Sequence, residues 1–438
     1  MQYVPNIIFA LVLIVGIGFF VKNIRKLIRN INLGKDVDRS DNKSARWKNM
    51  AKIALGQYKM VRRPVSGILH VAVYLGFIII NIEVLEIIID GLFGTHRVFQ
   101  PLLGDAFYAF LIGTFEVLAA IVFIAVTVFW IRRNVIRIKR FWNKEMIGWP
   151  KNDGNIILYF EMVLMSLFIV MNASDITFQE AGIGNPISQF VYPLLNGFRP
   201  ETLHLIEQTA WWIHIIGILT FLNYLYYSKH LHILLAFPNT FYAKLQPKGQ
   251  LDNLEAVTKE VQLMMDPSAD PYASPAEGAE DEVPEKFGAS DVTDLNWVQL
   301  MNAYTCTECG RCTSACPANI TGKELSPRAI MMKTRDRMEE IGANIDANGG
   351  AFKDDGKQLL NDYISPEELW ACTSCNACVE ECPVNIDPLS IIMDMRRYLV
   401  MEESAAPQEL NAMMTNIENN GAPWQYNQQD RLNWKDEE

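Results

Sequence analysis

The chain has 438 residues, a net charge of −11, half of its residues hydrophobic and a mean hydropathy of +0.06. Positive mean hydropathy beside 20% charged residues points to an uneven chain, and a division after Ser228 exposes the unevenness: residues 1–228 carry net +7, residues 229–438 net −18. A membrane half and an acidic soluble half fit this division, which argues against a simple soluble enzyme, a disordered chain and a nucleic-acid binder, because the acidic half repels phosphate.

A helix needs roughly 20 apolar residues to cross hydrocarbon. Five runs meet or approach that length: 4–21, 65–89, 106–131, 156–172 and 203–227. The first has no basic leader and no small-residue cleavage site, and basic residues follow it, so it reads as a span and not a signal peptide. Residues 22–63 hold 13 Lys/Arg against three Asp, and 132–151 hold seven Lys/Arg, whereas the other two loops have one Arg each. The positive-inside rule therefore puts the N-terminus outside and the acidic half in the cytoplasm. The expected location is the bacterial cytoplasmic (inner) membrane.

Among the six histidines, His70 lies one turn into the second span near its inner end, and His230 and His232 leave the fifth span at the same face. A haem b held by two imidazoles needs one from each of two facing segments at equal depth. His70 with His232, or with His230, meets that requirement. His214 is 18 residues before His232, five helical turns or about 27 Å away along the axis; it sits near mid-membrane, where a histidine is costly unless it has a partner or a role, haem ligation or a quinone site. Ile80 stands on the second span where a partner for His214 would be. One haem is expected more readily than two. His96 and His204 read as solvated rim positions. Glu83, Glu86, Glu116 and Glu161 fall within or near spans, where they either pair internally or pass protons to a quinone.

Residues 251–265 have helical apolar spacing, and 266–291, rich in Pro, Ala, Glu and Asp without an apolar period, read as a tether. All eight cysteines follow. Cys306, Cys309, Cys312 and Cys316-Pro317 spell C-x₂-C-x₂-C-x₃-C-P, and Cys372, Cys375, Cys378 and Cys382-Pro383 repeat it. This is the run of a two-[4Fe–4S] ferredoxin, in which the fourth Cys of each run serves the other cluster. The spacing assigns Cys306, Cys309, Cys312 and Cys382 to one cluster and Cys372, Cys375, Cys378 and Cys316 to the other. Zinc held by C-x₂-C pairs leaves the third and fourth spacings and both prolines unexplained. The 55 residues between the runs are too many for a compact β-ferredoxin and include helical patterns, as do 365–371 and 387–400. The expected fold is therefore mainly α: a five-helix transmembrane bundle (1–236), a helical segment and acidic linker (237–291), a cytoplasmic α-helical ferredoxin-type domain (292–400) and a docking tail (401–438). No cysteine is left over for nucleophilic chemistry and no Gly-rich dinucleotide fingerprint follows a strand, so flavin and nicotinamide are not expected on this chain.

The segments LNWVQLMNAYTCTECGRCTSACP, LSPRAIM, ELWACTSCNACVEECPVNIDPL and APWQYNQQDRLNW resemble heterodisulfide-reductase-like membrane iron–sulfur oxidoreductases. GILHVAVYLGF around His70 and SKHLHILLAFPNTF around His230 and His232 resemble the N-terminal part of the same proteins, which is similar to the cytochrome b (gamma) subunit of respiratory nitrate reductase. The resemblance implies a haem b and quinone module wired to two cubanes, with His70 and His232 as inner-haem ligands and His214 as one outer-haem ligand. It also implies a partner subunit bearing Cys-rich CCG domains, docked near residues 424–434. The expectation is a membrane electron-transfer subunit between a cytoplasmic redox partner, two clusters, haem b and the quinone pool, with the substrate site on another subunit and electron-transfer flavoprotein as the favoured donor. The alternatives are a heterodisulfide or thiol reductase subunit and a membrane-bound iron–sulfur redox sensor.

Overall fold

The computed structural model describes residues 3–182, 184–268 and 286–436, so most of the expected tether lies outside the described residues. Among the described residues, five helices are long and apolar enough to cross a membrane: α1 (Val4–Ile31), α2 (Pro64–Phe93), α3 (Asp105–Asn134), α4 (Trp149–Ser174) and α5 (Pro200–Tyr224). Four of them start with Pro in the first turn, where its missing N–H costs nothing. All five begin or end outside the apolar runs, because their polar ends also pack. The extension of α1 past Val21 buries Asn23, Leu27, Asn30 and Ile31, and the early start of α4 buries Asp153.

Helix α4 packs on α5, α3 lies between α2 and α4, and α1 closes against α2 and α5. Small residues let the backbones approach. A Cβ added at Gly76 of α2 would meet Val122 of α3 at 2.4 Å, and one at Gly91 would meet the ring of Phe9 at 2.6 Å.

After α5 the chain turns and α6 (His232–Phe241) leads away from the bundle. The run from Leu251 forms a helix at Glu255–Met265. The acidic half is helical and has no strand among the described residues, only two isolated bridges. Its main helices are α7 (Trp297–Thr305), α8 (Pro327–Ala347) and α9 (Pro388–Met401), followed by α10 (Gln408–Asn420). Side-chain caps fix their starts: Asn296 with Gln299 on α7, Ser326 on α8 and Asp387 on α9.

The two halves share one core. Leu27, Ile31, Ile157, Phe221 and Leu225 of the bundle pack in one cluster with Leu300, Met301, Tyr304 and Ile330 of the acidic half. Polar contacts frame it: Asn30 donates to the Tyr304 hydroxyl at 2.9 Å, and Arg328, fully buried, binds Glu145 of the α3–α4 connection at 2.6 Å. The acidic domain is seated on the basic end of the bundle.

Candidate metal centre

The two cysteine runs adopt the same backbone. Glu308 and Gly310 have φ of +52° and +70°; the equivalent Ser374 and Asn376 have +55° and +59°. A left-handed residue between each pair of cysteines wraps the loop, turning backbone N–H groups inward as an anion-binding concavity. At Gly310 the close approach is also steric, since a Cβ there would meet Arg328 at 2.5 Å. Cys312 and Cys378 then open short helices, Arg311–Ala315 and Ala377–Glu381, which pack against each other and end at Cys316 and Cys382.

This packing crosses the two runs. Cys382 lies within electrostatic reach of Cys306, Cys309 and Cys312, and Cys316 within reach of Cys372 and Cys378. No two of the eight are joined by a disulfide. Burial pushes the Cys306 and Cys378 thiols up to about 12 and Cys382 up to about 11. Four thiolates gathered in a low-dielectric pocket need a cationic core to remain ionised, and backbone N–H groups already point at sulfur: Ile386 at 3.3 Å from Cys382 and Ser374 at 3.4 Å from Cys372. The donor set and the loop geometry fit two cubanes.

The two sites differ in surroundings. Near the first are Lys59 beside Cys382, Arg140 beside Cys309, and Arg311 beside both. Arg311 also donates to the carbonyls of Lys59 and Met60 at 3.0 and 3.1 Å, fastening the cysteine loop to the chain entering α2. Near the second are Arg396, which donates to the Cys372 carbonyl at 2.5 Å, and Asp387, whose charge acts on Cys378. Cys375 of this run is exposed.

The structure brings His70 of α2, His230 and His232 together beneath the first site. The rings of His70 and His232 are 6.4 Å apart between centroids, and those of His230 and His232 are 5.3 Å apart. Two imidazoles on opposite sides of one metal, with bonds of about 2.0 Å and ring radii of about 1.1 Å, would have centroids about 6.2 Å apart. His232 Nδ1 lies 3.1 Å from the Lys229 carbonyl, and His70 Nδ1 is buried without a hydrogen-bond partner among the described residues. Burial holds His230 and His232 below the usual histidine range, in the neutral state that binds metal. The residues present fit a group ligated by two imidazoles. His214 stands apart, 3% exposed, with Nδ1 unpartnered and Phe168 as its ring neighbour at 6.3 Å. Ile80 is buried in the bundle core.

A link that the sequence did not suggest joins the histidines to the first cysteine loop. The Lys229 ammonium binds the carboxylate of Glu308, which lies between Cys306 and Cys309, is 3% exposed and is also held by Arg335 at 2.9 Å. Two of the intramembrane acids lie elsewhere. Glu116 accepts from the backbone of Ile187 and Ser188 at 2.8 and 2.9 Å, and Glu86 from Phe99 N and the Tyr108 hydroxyl, both toward the opposite end of the bundle. These two pair internally.

A family described as 4Fe-4S dicluster domain matches residues 305–386. The chain is 29% identical over 98% of its length to a probable iron–sulfur-binding oxidoreductase, FadF, of Bacillus subtilis, and 24% identical over 92% to the EtfAB:quinone oxidoreductase of Syntrophomonas wolfei. It spans 61% and 55% of the lengths of those two relatives. Over 34% of the chain it is 26% identical to a component of the dihydromethanophenazine:CoB–CoM heterodisulfide reductase of Methanosarcina mazei, of which it covers 37%. No solved structure matches it. The chain is thus a helical membrane protein carrying a 4Fe–4S dicluster domain, homologous to iron–sulfur oxidoreductases and to components of heterodisulfide reductases.

Proposed function

We propose that this chain is a membrane electron-transfer subunit that connects a cytoplasmic redox partner to the quinone pool, with its cysteines in the crossed assignment and His70 and His232 as ligands of one haem b. The observation that carries the reading is the His70–His232 pair at 6.4 Å, bound through Lys229 and Glu308 to the first cysteine loop. Bound there, two cubanes and a haem would supply one-electron transfer.

The chain's own residues set the order. The Cys375 loop is exposed and offers the entry from a soluble partner; the Cys306–Cys312 loop is covered by the bundle and offers the exit. Trp424, Tyr426 and Trp434, exposed beyond α10, offer the partner an aromatic surface. The partner in this reading is a CCG-domain subunit fed by electron-transfer flavoprotein, which the relative named as an EtfAB:quinone oxidoreductase supports. The heterodisulfide reductase relatives favour a second reading, in which the same wire serves a disulfide-reducing partner.

The test is a dithionite-reduced minus oxidised spectrum of the purified, detergent-solubilised chain, with haem and iron counted per polypeptide. One haem b is expected, lost in both His70→Ala and His232→Ala while the non-haem iron content is kept. Intact clusters without haem would overturn the cytochrome part of the reading.

A further inference from the structure

At the end of the bundle opposite the cysteines lies a cavity of about 590 Å³. Its walls carry five carboxylates (Glu83, Glu86, Asp90, Asp175 and Glu207) and one guanidinium, Arg97.

Three side chains converge there from three elements: His96 of the α2–α3 connection, Asp175 just past α4, and Glu207 of α5. Their nearest ligand atoms all lie within 4.8 Å of one another. His96 Nε2 is 3.3 Å from Glu207 Oε1 and 3.5 Å from Asp175 Oδ2. A good hydrogen bond to a carboxylate is shorter, about 2.7–2.9 Å, and one ring nitrogen cannot serve two carboxylates well. A tetrahedral ion with bonds of about 2.0–2.2 Å places its ligand atoms about 3.3–3.6 Å apart.

The carboxylates also have partners of their own, Arg97 on the same Asp175 oxygen that faces His96. Asp175 Oδ1 accepts from Phe178 N at 3.0 Å and its Oδ2 from Arg97 at 2.8 Å; Glu207 Oε2 lies 3.2 Å from His204 Nδ1. A separate observation points to a ligand in the same cavity. Glu83 is 5% exposed, lines the cavity, and its Oε2 has no hydrogen-bond partner among the described residues.

We propose that His96, Asp175 and Glu207 form a binding site for a divalent first-row transition ion, Zn²⁺ by donor set and geometry, at this end of the bundle. One imidazole and two carboxylates suit zinc; Ca²⁺ and Mg²⁺ require about six oxygen ligands. The ion ties the ends of α2, α4 and α5 together. The site stands independently of the haem and quinone reading, and His96, taken from the sequence as a solvated rim residue, is its nitrogen donor.

The experiment uses the full chain in detergent, purified without a polyhistidine tag, washed with EDTA and checked for intact clusters by iron content. Zinc chloride is titrated calorimetrically, and the zinc-edge X-ray absorption of the loaded protein is recorded. One zinc per chain is expected, with nitrogen and oxygen but no sulfur neighbours, and at least tenfold weaker binding in His96→Ala and in Glu207→Gln. His96 is well exposed, so its variant should fold, and unchanged iron content and melting temperature verify this for both. Absence of stoichiometric binding, sulfur in the zinc shell, or unchanged affinity in both folded variants would overturn the proposal.

Discussion

Single charged residues decide how the acidic domain holds together and how it is seated. Arg337 of α8 is fully buried and is met by Asp291 at 2.8 Å and Asp355 at 2.6 Å, with the Lys357 carbonyl at 2.7 Å. Removing only the cation leaves two half-buried carboxylates uncompensated. Arg337→Met is therefore expected to cost about 3–5 kcal/mol, read as a lowered denaturation midpoint of the holoprotein; a change within error would mean that water replaces the guanidinium. Glu145 gives the pH dependence. Burial works to raise its carboxyl, but the Arg328 guanidinium outweighs burial and holds it below the ordinary carboxylate range. A depressed acid stabilises the fold above its unfolded value and loses that contribution as the pH falls through the folded value. The stability difference between wild type and Glu145→Gln should thus be constant near neutrality and shrink below about pH 4.5. A difference that persists unchanged at lower pH would exclude the ionised carboxylate as its source.

At the scale of elements, the two cysteine loops share a backbone but not an electrostatic environment, and this separates their expected potentials. Lys59, Arg140 and Arg311 surround the membrane-side loop, whereas Asp387 opposes Arg396 at the exposed one. Cations favour the reduced, more negative cluster. Lys59 is 8% exposed and burial lowers its ammonium to about 8, so it is still charged at neutral pH. One charge removed at an effective dielectric near 20 is worth on the order of 1–2 kcal/mol, or about 50–100 mV for one electron. Lys59→Met should lower the higher of two midpoints by about that amount and leave the other nearly unmoved, in a redox titration followed by electron paramagnetic resonance; equal shifts in both would contradict the proposed separation. The loops themselves were legible from spacing alone, as were the five spans and the helices starting near Ser326, Ser365 and Asp387, because each depends on residues a few positions apart. The seats were not. Glu308 meets Lys229 across 79 residues, Glu145 meets Arg328 across 183, and His96 meets Glu207 across 111. No local periodicity records such pairings, so basic inner loops were readable as a topology signal but not as a docking surface.

Across the whole molecule, those two uses of the basic loops coincide. The segment between α1 and α2 is strongly basic, the pattern from which the positive-inside rule gives the proposed cytoplasmic side. The same segment and the end of α1 hold the acidic domain: Arg63 binds Glu381 at 2.7 Å, Lys26 binds Asp346 at 2.6 Å, and Arg62 and Arg29 add to these pairs. Exposed pairs of this kind contribute about 0–1 kcal/mol each, so the seat depends chiefly on the shared apolar cluster while the charges fix its orientation. Separating the halves would strip Leu27, Ile31, Leu300 and Met301 of their cover. Domain contact puts the cysteine domain on the same side as the basic loops, and loop charge supports the proposed orientation, with that side cytoplasmic and the connection between α2 and α3 outside. An epitope inserted at the exposed Gly94–Thr95 turn should be detected on intact cells or spheroplasts, and one at the C-terminus only after permeabilisation. The reverse pattern would place the basic loops outside and break the positive-inside argument; detection of both without permeabilisation would mean an even number of crossings between the two epitopes, so that one of α3, α4 and α5 lies along the membrane instead of through it.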